Sequence, residues 1–334
     1  MHAIRLHAFG PAENLAYEET PDPVPGPGQV RVRVAAAGVH LLDTALREGA
    51  TGPFPAPAEL PTIPGREVAG TVDALGEGTD PAWLGSRVVA HLGMNPGGYA
   101  ELAVTDAARL HALPDHLGEA EAVAMIGTGR TTLGILGFTE LGPDSVAIVP
   151  AAAGGIGTLL VQYAENAGAT VIGLAGGPAK TALVEANGAD LAVDYTRPDW
   201  PEKVRAYLES LGREATVVFD SVGGDTGRAA VDLLGEGGQH LVFGWSGAGL
   251  HDGEPLTFTE EELTARGITS ESVLGPVMIQ KAGGDIRTLE LAALAAASTG
   301  TLRPAVHRFP LAEAAEAHRA LENRGTTGKV VLIP

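Results

Sequence analysis

The sequence contains no cysteine among its 334 residues. This absence excludes disulfides, thiol nucleophiles, iron–sulfur clusters and every zinc site with thiolate ligands. Positive charge is also scarce, because 22 Lys and Arg residues stand against 41 Asp and Glu residues, for a net charge of −19. A chain this acidic repels phosphate backbones and anionic headgroups. We therefore expect no nucleic-acid partner and no membrane partner.

Long apolar runs are missing as well. The longest, residues 146–161, is interrupted by Pro150 and several glycines, so it is too short to span a bilayer. The opening residues MHAIRLHAFG lack the apolar core of a signal peptide, which predicts a soluble, cytoplasmic protein. Apolar residues make up 45% of the chain, and its length predicts two domains with sizeable cores.

Residues 1–123 have the pattern of a β domain. Short runs such as Val30–Ala37 and Glu67–Leu75 alternate or collect apolar residues between glycine and proline turns. A helical period is found only near Leu41–Arg47. This part predicts an antiparallel, partly barrel-like β domain.

The pattern of apolar residues changes over residues 124–265. Strand-like Ser145–Val149 and Thr170–Leu174 are each followed by a helical segment, and the alternation continues to Gln239–Phe243. Regular alternation of strands and helices implies parallel strands joined by crossovers, which is a doubly wound sheet in an α/β protein.

A glycine-rich turn joins the first strand and helix of this second part. Residues 151–157 read AAAGGIG. In the dinucleotide fingerprint GxGxxG, the second glycine admits a pyrophosphate and the third lets the helix pack on the strand. Gly154 and Gly157 fill these two positions, and Ala152 replaces the first glycine. Because the helix N-terminus also offers amides to phosphates, the turn predicts a bound dinucleotide.

The end of the second strand distinguishes the two common dinucleotides. NAD sites usually carry an acid about 20 residues after the glycine turn. Residues Ile172–Gly177 contain no acid, and Lys180 follows within one turn. An ammonium group there pairs with a 2′-phosphate. The alternative is that Lys180 is an ordinary solvated helix residue; we expect NADPH as the cofactor.

Several motifs spread over the whole chain resemble one family. They are Gly38–Asp43 (GVHLLD), Ile63–Gly70 (IPGREVAG), Gly97–Glu101 (GGYAE), the turn at 151–157, Asp220–Gly224 (DSVGG), Phe243-Gly244 and Thr327–Val331 (TGKVV). Together they are similar to the medium-chain dehydrogenase/reductase superfamily, and most closely to its zinc-free, quinone-oxidoreductase-like (zeta-crystallin-like) branch.

The resemblance implies a fold and a set of cofactor residues. It implies a GroES-like, partly open β-barrel catalytic domain over residues 1–123 and 266–334, and a Rossmann dinucleotide-binding domain over 124–265. The residues that it places at the cofactor are Thr128, Ala153, Gly154, Gly155, Ile156, Gly176, Lys180, Tyr195, Ser221, Phe243, Gly244 and Ser246.

The resemblance also argues against a catalytic zinc. Zinc-dependent members carry Cys where His40 stands, His where Arg66 stands, and a further Cys near Ile126–Gly129. Arginine does not coordinate zinc, and Ile126–Gly129 offers no ligand side chain. Because a catalytic zinc takes about three protein ligands, we expect no metal site.

His40 and Asp43 are the candidate catalytic residues. His40 stands where relatives carry Asn, and it either gives a hydrogen bond or a proton to the acceptor or satisfies a buried polar contact. Asp43 either orients the nicotinamide edge or His40, or it caps the helix that follows.

The resemblance implies an NADPH-dependent reductase that passes a hydride to a quinone or an activated enone (an α,β-unsaturated carbonyl). Such conjugated acceptors need positioning rather than a Lewis acid. A homodimer is implied as well, formed through a strand around Ser272–Val277. Two alternatives stay open: an enoyl-thioester or pathway-specific tailoring reductase, and a non-catalytic NADPH-binding protein.

Overall fold

The structure, a computed structural model, describes residues 1–52, 56–248 and 253–334. Its strands are β1 His2–Leu6, β2 Leu15–Glu19, β3 Gln29–Val39, β4 Glu67–Leu75, β5 Arg87–His91, β6 Leu102–Asp106, β7 His111–Ala112, β8 Val146–Val149, β9 Thr170–Ala175, β10 Leu191–Asp194, β11 Ala215–Asp220, β12 Leu234–Val242, β13 Thr269–Ser272, β14 Val306–Pro310 and β15 Lys329–Ile333. Its α-helices are α1 Leu41–Arg47, α2 Glu119–Ala124, α3 Arg130–Leu136, α4 Gly155–Asn166, α5 Pro178–Ala186, α6 Trp200–Leu211, α7 Gly224–Val231, α8 Glu260–Arg266, α9 Pro276–Lys281, α10 Ile286–Ser298 and α11 Ala314–Glu322. In these ranges no helix is both long and apolar enough to cross a membrane.

The chain divides into two compact units. Unit 1 contains Met1–Gly129, Ala293–Gly300 and Pro304–Pro334, and unit 2 contains Arg130–Ala292 and Thr301–Arg303. The predicted division assigned residues 266–292 to the first domain, whereas here they lie in unit 2. The physical reason is strand pairing: β13 extends the sheet of unit 2 alongside β12.

Unit 2 is built on a parallel sheet with the strand order β10-β9-β8-β11-β12-β13. The order reverses between β8 and β11, so the predicted doubly wound sheet is confirmed. Both faces of the sheet are buried: Ala147 and Val149 pack into one apolar core, and Val146 and Ile148 pack into the other. Burial on both sides explains why β8 reads as one continuous apolar run.

Unit 1 contains the predicted β domain. Its sheet has the order β14-β15-β3-β4-β5-β7, with β6 also paired to β3, while β1 and β2 form a separate ribbon. The pairings are antiparallel except between β14 and β15. Irregularities at Arg31/Val32 and Val34/Ala36 bend β3, which pairs with β6 through its first half and with β15 through its end. The terminal strand therefore joins the first domain.

Two predicted elements have different limits in the structure. The sequence pattern predicts a helix over Thr226–Leu234, whereas α7 ends at Val231 because Leu234 starts β12. The strand expected around Ser272–Val277 ends at Ser272. Gly275, with φ 71°, and Pro276 at the first helical position then begin α9.

Candidate functional site

The turn between β8 and α4 carries the predicted dinucleotide motif. A Cβ atom on Gly157 would overlap with the carbonyl oxygen of Ala151, so this glycine allows α4 to lie close against the turn. Gly154 is the N-cap of α4, and a Cβ there would meet only that same oxygen, at 3.2 Å. Ala151 itself has φ 51°, a left-handed conformation that costs an alanine more than a glycine.

The rest of this turn fits a pyrophosphate. Ala152 and Ala153 are buried, and the N–H of Ala152 donates to the carbonyl of Leu174 at 2.9 Å, which ties the turn to β9. Gly155 and Ile156 are partly exposed in the first turn of α4. Helix geometry leaves first-turn amides without carbonyl partners inside the helix, and such amides bind phosphate.

The ends of β9 and β10 form a second part of the candidate cofactor site. A Cβ on Gly176 would lie 3.4 Å from Cγ2 of Thr196 and 4.0 Å from the hydroxyl oxygen of Tyr195. These residues therefore border one surface, and α5, which carries Lys180, begins two residues later. The arrangement brings together Gly176 and Tyr195, two of the residues predicted at the cofactor.

Sequence reasoning did not include Asp194, an acid in this same region. Its Oδ1 accepts hydrogen bonds from the hydroxyl and the backbone amide of Thr196, at 2.6 and 3.0 Å. The pKa of Asp194 is lowered, first by the Thr196 hydroxyl and then by the backbone amide of Gly177. The carboxylate is thus used to shape the turn after β10.

The end of β11 is shaped by a buried carboxylate. Oδ1 of Asp220 accepts from the amides of Val222 and Gly223, both at 2.9 Å. Its Oδ2 lies 3.1 Å from Nε2 of His240, whose Nδ1 lies 2.8 Å from the hydroxyl of Ser270. Asp220 and His240 are fully buried, so this chain of contacts acts as internal support for the loop.

That loop meets the loop after β12. The amide and hydroxyl of Ser246 donate to the carbonyl oxygen of Ser221, at 3.2 and 3.1 Å. A Cβ on Gly244 would lie 2.8 Å from the same oxygen, which explains a glycine there. Phe243 is buried, with 7% of its surface exposed. Ser221, Gly244 and Ser246 thus lie together at the carboxyl end of the sheet, where open α/β sheets bind ligands.

Two further candidates lie in unit 1, together with Thr128, which was predicted at the cofactor. Thr128 is buried in a π-helical turn, Met125–Gly129. His40 links β3 to α1, and Asp43 lies in the first turn of α1. Strand pairing decides what surrounds His40: Val330 of β15 pairs with Val39, which brings Lys329 beside His40.

His40, Glu67 and Lys329 form a tight cluster. Nζ of Lys329 is 2.9 Å from Nε2 of His40 and 2.8 Å from Oε2 of Glu67. Nε2 of His40 is 2.6 Å from Oε1 of Glu67. The side chain of Glu67 is fully buried and that of Lys329 is 4% exposed, whereas that of His40 is 29% exposed. Of the three side chains, therefore, only the imidazole of His40 is substantially exposed to solvent.

Glycines make room for the Glu67 carboxylate. A Cβ on either Gly38 or Gly127 would overlap with one of its oxygens. Burial alone would raise the pKa of Glu67, but the positive charges of His40, when protonated, and of Lys329 hold that pKa well below its ordinary value. Glu67 is therefore an ionised, buried counter-charge.

Asp43 ends a second chain of buried contacts. Its Oδ2 accepts from the backbone N–H of His40 at 2.8 Å and from the hydroxyl of Tyr99 at 3.0 Å. The Tyr99 hydroxyl lies 3.2 Å from Nε2 of His318, and Nδ1 of His318 lies 3.4 Å from a guanidinium nitrogen of Arg47. Asp43 thus caps α1, the second of the two roles considered for it, and orients the backbone of His40.

The protonation states along this chain agree with the directions of its hydrogen bonds. Burial, and after it the charge of Asp43, raises the pKa of Tyr99 well above its ordinary value, so the phenol keeps its proton for Asp43. Burial lowers the pKa of His318 to about 4, so the imidazole is neutral near pH 7. A neutral His318 accepts from Arg47 at Nδ1 and donates from Nε2 to Tyr99.

Asp43 also borders a pocket of about 410 Å³ in unit 1. Its walls are mainly apolar, with contributions from Leu46 and Met94, and its polar groups include Asp43 and Arg66. The guanidinium of Arg66 is 3.7 Å from Oδ1 of Asp43. A volume of this size is within the range of small-molecule sites.

Sequence reasoning missed several of these residues. Glu67 and Lys329 lay inside motifs that were recognised, IPGREVAG and TGKVV, yet received no role. Tyr99 lay in GGYAE and likewise received none, and His318 carried no sequence signal. A charged residue within a run of apolar strand residues, as at Glu67 and Lys329, was the one available signal.

Two family models match the chain. The model described as alcohol dehydrogenase GroES-like domain matches residues 26–115, and the one described as zinc-binding dehydrogenase matches residues 155–282. The chain is 33% identical to a quinone oxidoreductase of Pseudomonas aeruginosa, with 99% of each chain covered. It is 32% identical to a 2-haloacrylate reductase of a Burkholderia species, covering 99% of this chain and 98% of that protein.

A solved structure is similar over the full length. The quinone oxidoreductase of Escherichia coli, crystallised with NADPH, superimposes with a TM-score of 0.84 at 28% identity, and all of both chains is covered. The turn between β8 and α4 of this chain fits such a dinucleotide, because Gly154 leaves the face of the turn open and Gly157 lets α4 approach it.

The zinc implied by the name of one matching family model does not fit the donors present. Within residues 1–52, 56–248 and 253–334, no group of three His, Cys, Asp or Glu side chains is placed to hold a metal ion. At His40, the neighbouring cation is the ammonium of Lys329, and Arg66 is paired with Asp43. No step of the chemistry is therefore assigned to zinc.

Proposed function

The chain belongs to the medium-chain dehydrogenase/reductase superfamily, in its quinone-oxidoreductase-like branch, and on this premise we propose that it is a zinc-free reductase of quinones or activated enones. That it is an NADPH-dependent oxidoreductase follows from the relatives and from the NADPH-bound structural neighbour. The proposal concerns the acceptor and the residues that serve it.

One observation carries the proposal: Nε2 of His40 lies between the carboxylate of Glu67, 2.6 Å away, and the ammonium of Lys329, 2.9 Å away, and not among ligands arranged for a metal. The polar group offered to an acceptor is then an imidazole, which gives a hydrogen bond or a proton but does not act as a Lewis acid. Acceptors that are already electrophilic, such as quinones and enones, need no more than this.

The cofactor-binding residues, His40 and Asp43 have separate roles in the proposed reaction. Bound NADPH supplies a hydride to an electrophilic carbon of the acceptor. The amides of Gly154, Gly155 and Ile156 bind the pyrophosphate, and Lys180 pairs with the 2′-phosphate. His40 stabilises the negative charge that develops on the acceptor oxygen and protonates it. Asp43 does not touch the acceptor's reacting atoms; it positions His40 through the backbone.

The names of two relatives support the two acceptor classes. One relative is a quinone oxidoreductase and another a 2-haloacrylate reductase, and both substrate classes have a double bond conjugated with a carbonyl or carboxylate group.

We also propose that two copies of the chain associate through the outer edge of β13. Among the described residues, β13 is the last strand of its sheet and pairs on one side with β12. An edge strand of this kind is a template for pairing with a second copy. Light scattering after size exclusion tests this: a mass of one chain at micromolar concentration contradicts it.

The test of function is an acceptor panel. NADPH and NADH oxidation is followed with a benzoquinone, a naphthoquinone, a 2-alkenal and a cyclic enone, in the presence of a chelator. We expect NADPH oxidation with a quinone or an enone, unaffected by chelator, and His40→Gln lowers kcat about 10²-fold while NADPH binding is retained. His116→Gln, at an exposed site bonded to Ser298, is the matched control.

Two results contradict the proposal. Activity that chelator removes would restore a metal to the mechanism. NADPH binding without turnover of any acceptor would favour a narrow biosynthetic substrate or a non-catalytic role.

A further inference from the structure

We propose that Trp245 is a specificity-determining residue whose indole packs against the ring of the acceptor, and that the acceptor is therefore a flat quinone rather than an open-chain enal. The inference rests on the proposed function, because it concerns the acceptor of the same reaction. Trp245 supplies packing only, since no bond of its indole forms or breaks when the hydride is transferred.

Trp245 differs from the other two tryptophans of the chain in its exposure. It has 40% of its surface exposed, whereas Trp200 is buried in a core of unit 2 and Trp83 is partly buried against a core of unit 1. A large aromatic side chain left in water gains free energy when a ligand covers it, and a flat ring covers it by offset stacking. Because single exposed apolar residues are common, the place of Trp245 in the fold decides what this exposure means.

The loop that carries Trp245 is fixed on both sides of this residue. On one side, Ser246 donates from its amide and its hydroxyl to the carbonyl oxygen of Ser221, at 3.2 and 3.1 Å. On the other side, the amide of Phe243 donates to the carbonyl oxygen of Asp220 at 2.9 Å. The backbone at Trp245 is thus held before a ligand binds, which lowers the entropic cost of the contact.

The loop after β11 leaves room for the backbone of Trp245. Gly223 has φ 61°, in the left-handed region, and its amide is bound by Oδ1 of Asp220 at 2.9 Å. A Cβ on Gly223 would lie 3.3 Å from Cβ of Trp245. The glycine therefore lets the two loops approach closely, and together they form one surface at the carboxyl end of the sheet.

The strand order assigns this surface to the nicotinamide half of the cofactor. In a doubly wound sheet a dinucleotide binds where the strand order reverses, which here is between β8 and β11. Lys180, the proposed partner of the 2′-phosphate, lies on α5, which follows β9 on one side of that point. The nicotinamide half then lies on the other side, over β11 and β12. Trp245 lies there, three residues after the end of β12.

The chemistry of the indole favours a quinone. Hydride passes directly from the nicotinamide to the acceptor, so the acceptor lies at the same end of the sheet as Trp245. The face of an indole is electron-rich and that of a quinone is electron-poor, so the two rings attract each other in addition to burying apolar surface. An open-chain 2-alkenal has no ring face and gains only part of this contact.

The first test detects the contact without turnover. 1,4-Naphthoquinone is titrated into the full chain saturated with NADP⁺, which has no hydride to give, and tryptophan emission is recorded and corrected for absorption by the quinone. A quinone in contact with an excited indole accepts an electron from it, so we expect a saturable loss of emission. Trp245→Phe abolishes this loss, and Trp83→Phe, the matched control, retains it. Saturable quenching that persists in Trp245→Phe overturns the inference.

The second test separates specificity from support of the fold. With 1,4-naphthoquinone, Trp245→Leu is expected to lower kcat/KM about tenfold through a raised KM, because stacking is lost. With a 2-alkenal the change is expected to stay below about twofold, because no stacking is lost. Trp245→Phe keeps a ring and is expected to restore most of the activity with the quinone. An equal loss with both acceptors, or a parent protein that prefers the 2-alkenal, contradicts the inference.

The proposed function and the role of Trp245 fail in different ways. If the parent protein reduces no quinone and no enone, the proposed function is wrong, and the fluorescence titration still decides whether Trp245 contacts a flat ring. If the parent reduces 1,4-naphthoquinone and both Trp245 variants match it in kcat/KM and in quenching, the proposed function stands and the role of Trp245 is wrong.

Discussion

The hydroxyl of Tyr99 donates to Oδ2 of Asp43 over 3.0 Å, across 56 positions of sequence. The same oxygen accepts the backbone N–H of His40 at 2.8 Å. Tyr99 of the GGYAE motif therefore holds Asp43 in the first turn of α1. Asp43 in turn holds the backbone of His40. The contact connects the packing of unit 1 to His40, the residue that we propose faces the acceptor.

Removing this hydroxyl tests the connection. Tyr99→Phe leaves Asp43 buried with one donor fewer, so we expect the free energy of unfolding to fall by about 1–3 kcal/mol. Urea unfolding followed by circular dichroism measures it. Tyr17→Phe, at a 44% exposed tyrosine of β2, is the matched control and is expected to change little. Equal stability of Tyr99→Phe and the parent would show that the contact carries no weight.

The lowered pKa of His318 predicts how the free energy of unfolding depends on pH. Its folded pKa is lowered to about 4, whereas an unfolded histidine titrates near 6.5. Between these values the unfolded chain binds more protons than the native one, so stability is complete above pH 6.5 and is lost as pH falls toward 4. At pH 5 the loss from this one group is about 2 kcal/mol.

The variant His318→Gln isolates this effect. It removes the titrating group, so we expect a smaller difference in unfolding free energy between pH 7.5 and pH 5 than in the parent, although the variant is less stable at pH 7.5. His116→Gln, a substitution at an exposed histidine bonded to Ser298, is the matched control. Parallel pH curves for His318→Gln and the parent would contradict the assignment.

Lys180 predicts the preference for the phosphorylated cofactor. Its loss removes a charge partner of the 2′-phosphate, so Lys180→Ala is expected to weaken NADPH binding about tenfold, or ~1.4 kcal/mol, and to leave NADH binding unchanged. Isothermal titration with both cofactors measures the difference. Lys203→Ala, which removes an exposed lysine paired with Asp199, is the control. An equal loss for both cofactors would mean that Lys180 is structural.

We expect substitutions of Gly154 and Gly157, in the turn between β8 and α4, to cause different defects. In Gly157→Ala the new Cβ overlaps with the carbonyl oxygen of Ala151, so we expect a loss of about 1–3 kcal/mol of stability. In Gly154→Ala the Cβ meets only that oxygen at 3.2 Å, so the fold is retained while the pyrophosphate is kept away. Thermal unfolding and NADPH titration separate the two. A Gly154→Ala variant with parental NADPH affinity would contradict the assigned role of the turn.

Much of the fold was predictable because its signals are local. The limits of α1 and of β4, Glu67–Leu75, agree with the sequence pattern at both ends, since apolar periodicity and adjacent turn residues mark them. The first half of β12 was missed because Gly235, Gly237 and Gly238 break its apolar pattern. The glycines lie where the register against β11 shifts, between the pairs Ala215–Leu234 and Val217–Gln239, so this part of the strand is irregular.

The candidate site likewise has one part that could be predicted from local sequence and another that could not. The turn at 151–157 is a local motif between a strand and a helix, so its place in unit 2 followed from sequence. The contact between His40 and Lys329 joins residues 289 positions apart and depends on the register of β15 against β3. No short-range pattern encodes that register, and the two residues come together only after the sheet is closed.

The most direct test of the central claim is the isotope effect on NADPH oxidation. The rate is measured with NADPH and with NADPH deuterated at the transferred position, using a benzoquinone and a cyclic enone in the presence of chelator. The account predicts a slower rate with the deuterated cofactor for at least one of these acceptors, with the same value when chelator is omitted. It is contradicted if neither acceptor oxidises NADPH, or if oxidation occurs only when a metal ion is supplied.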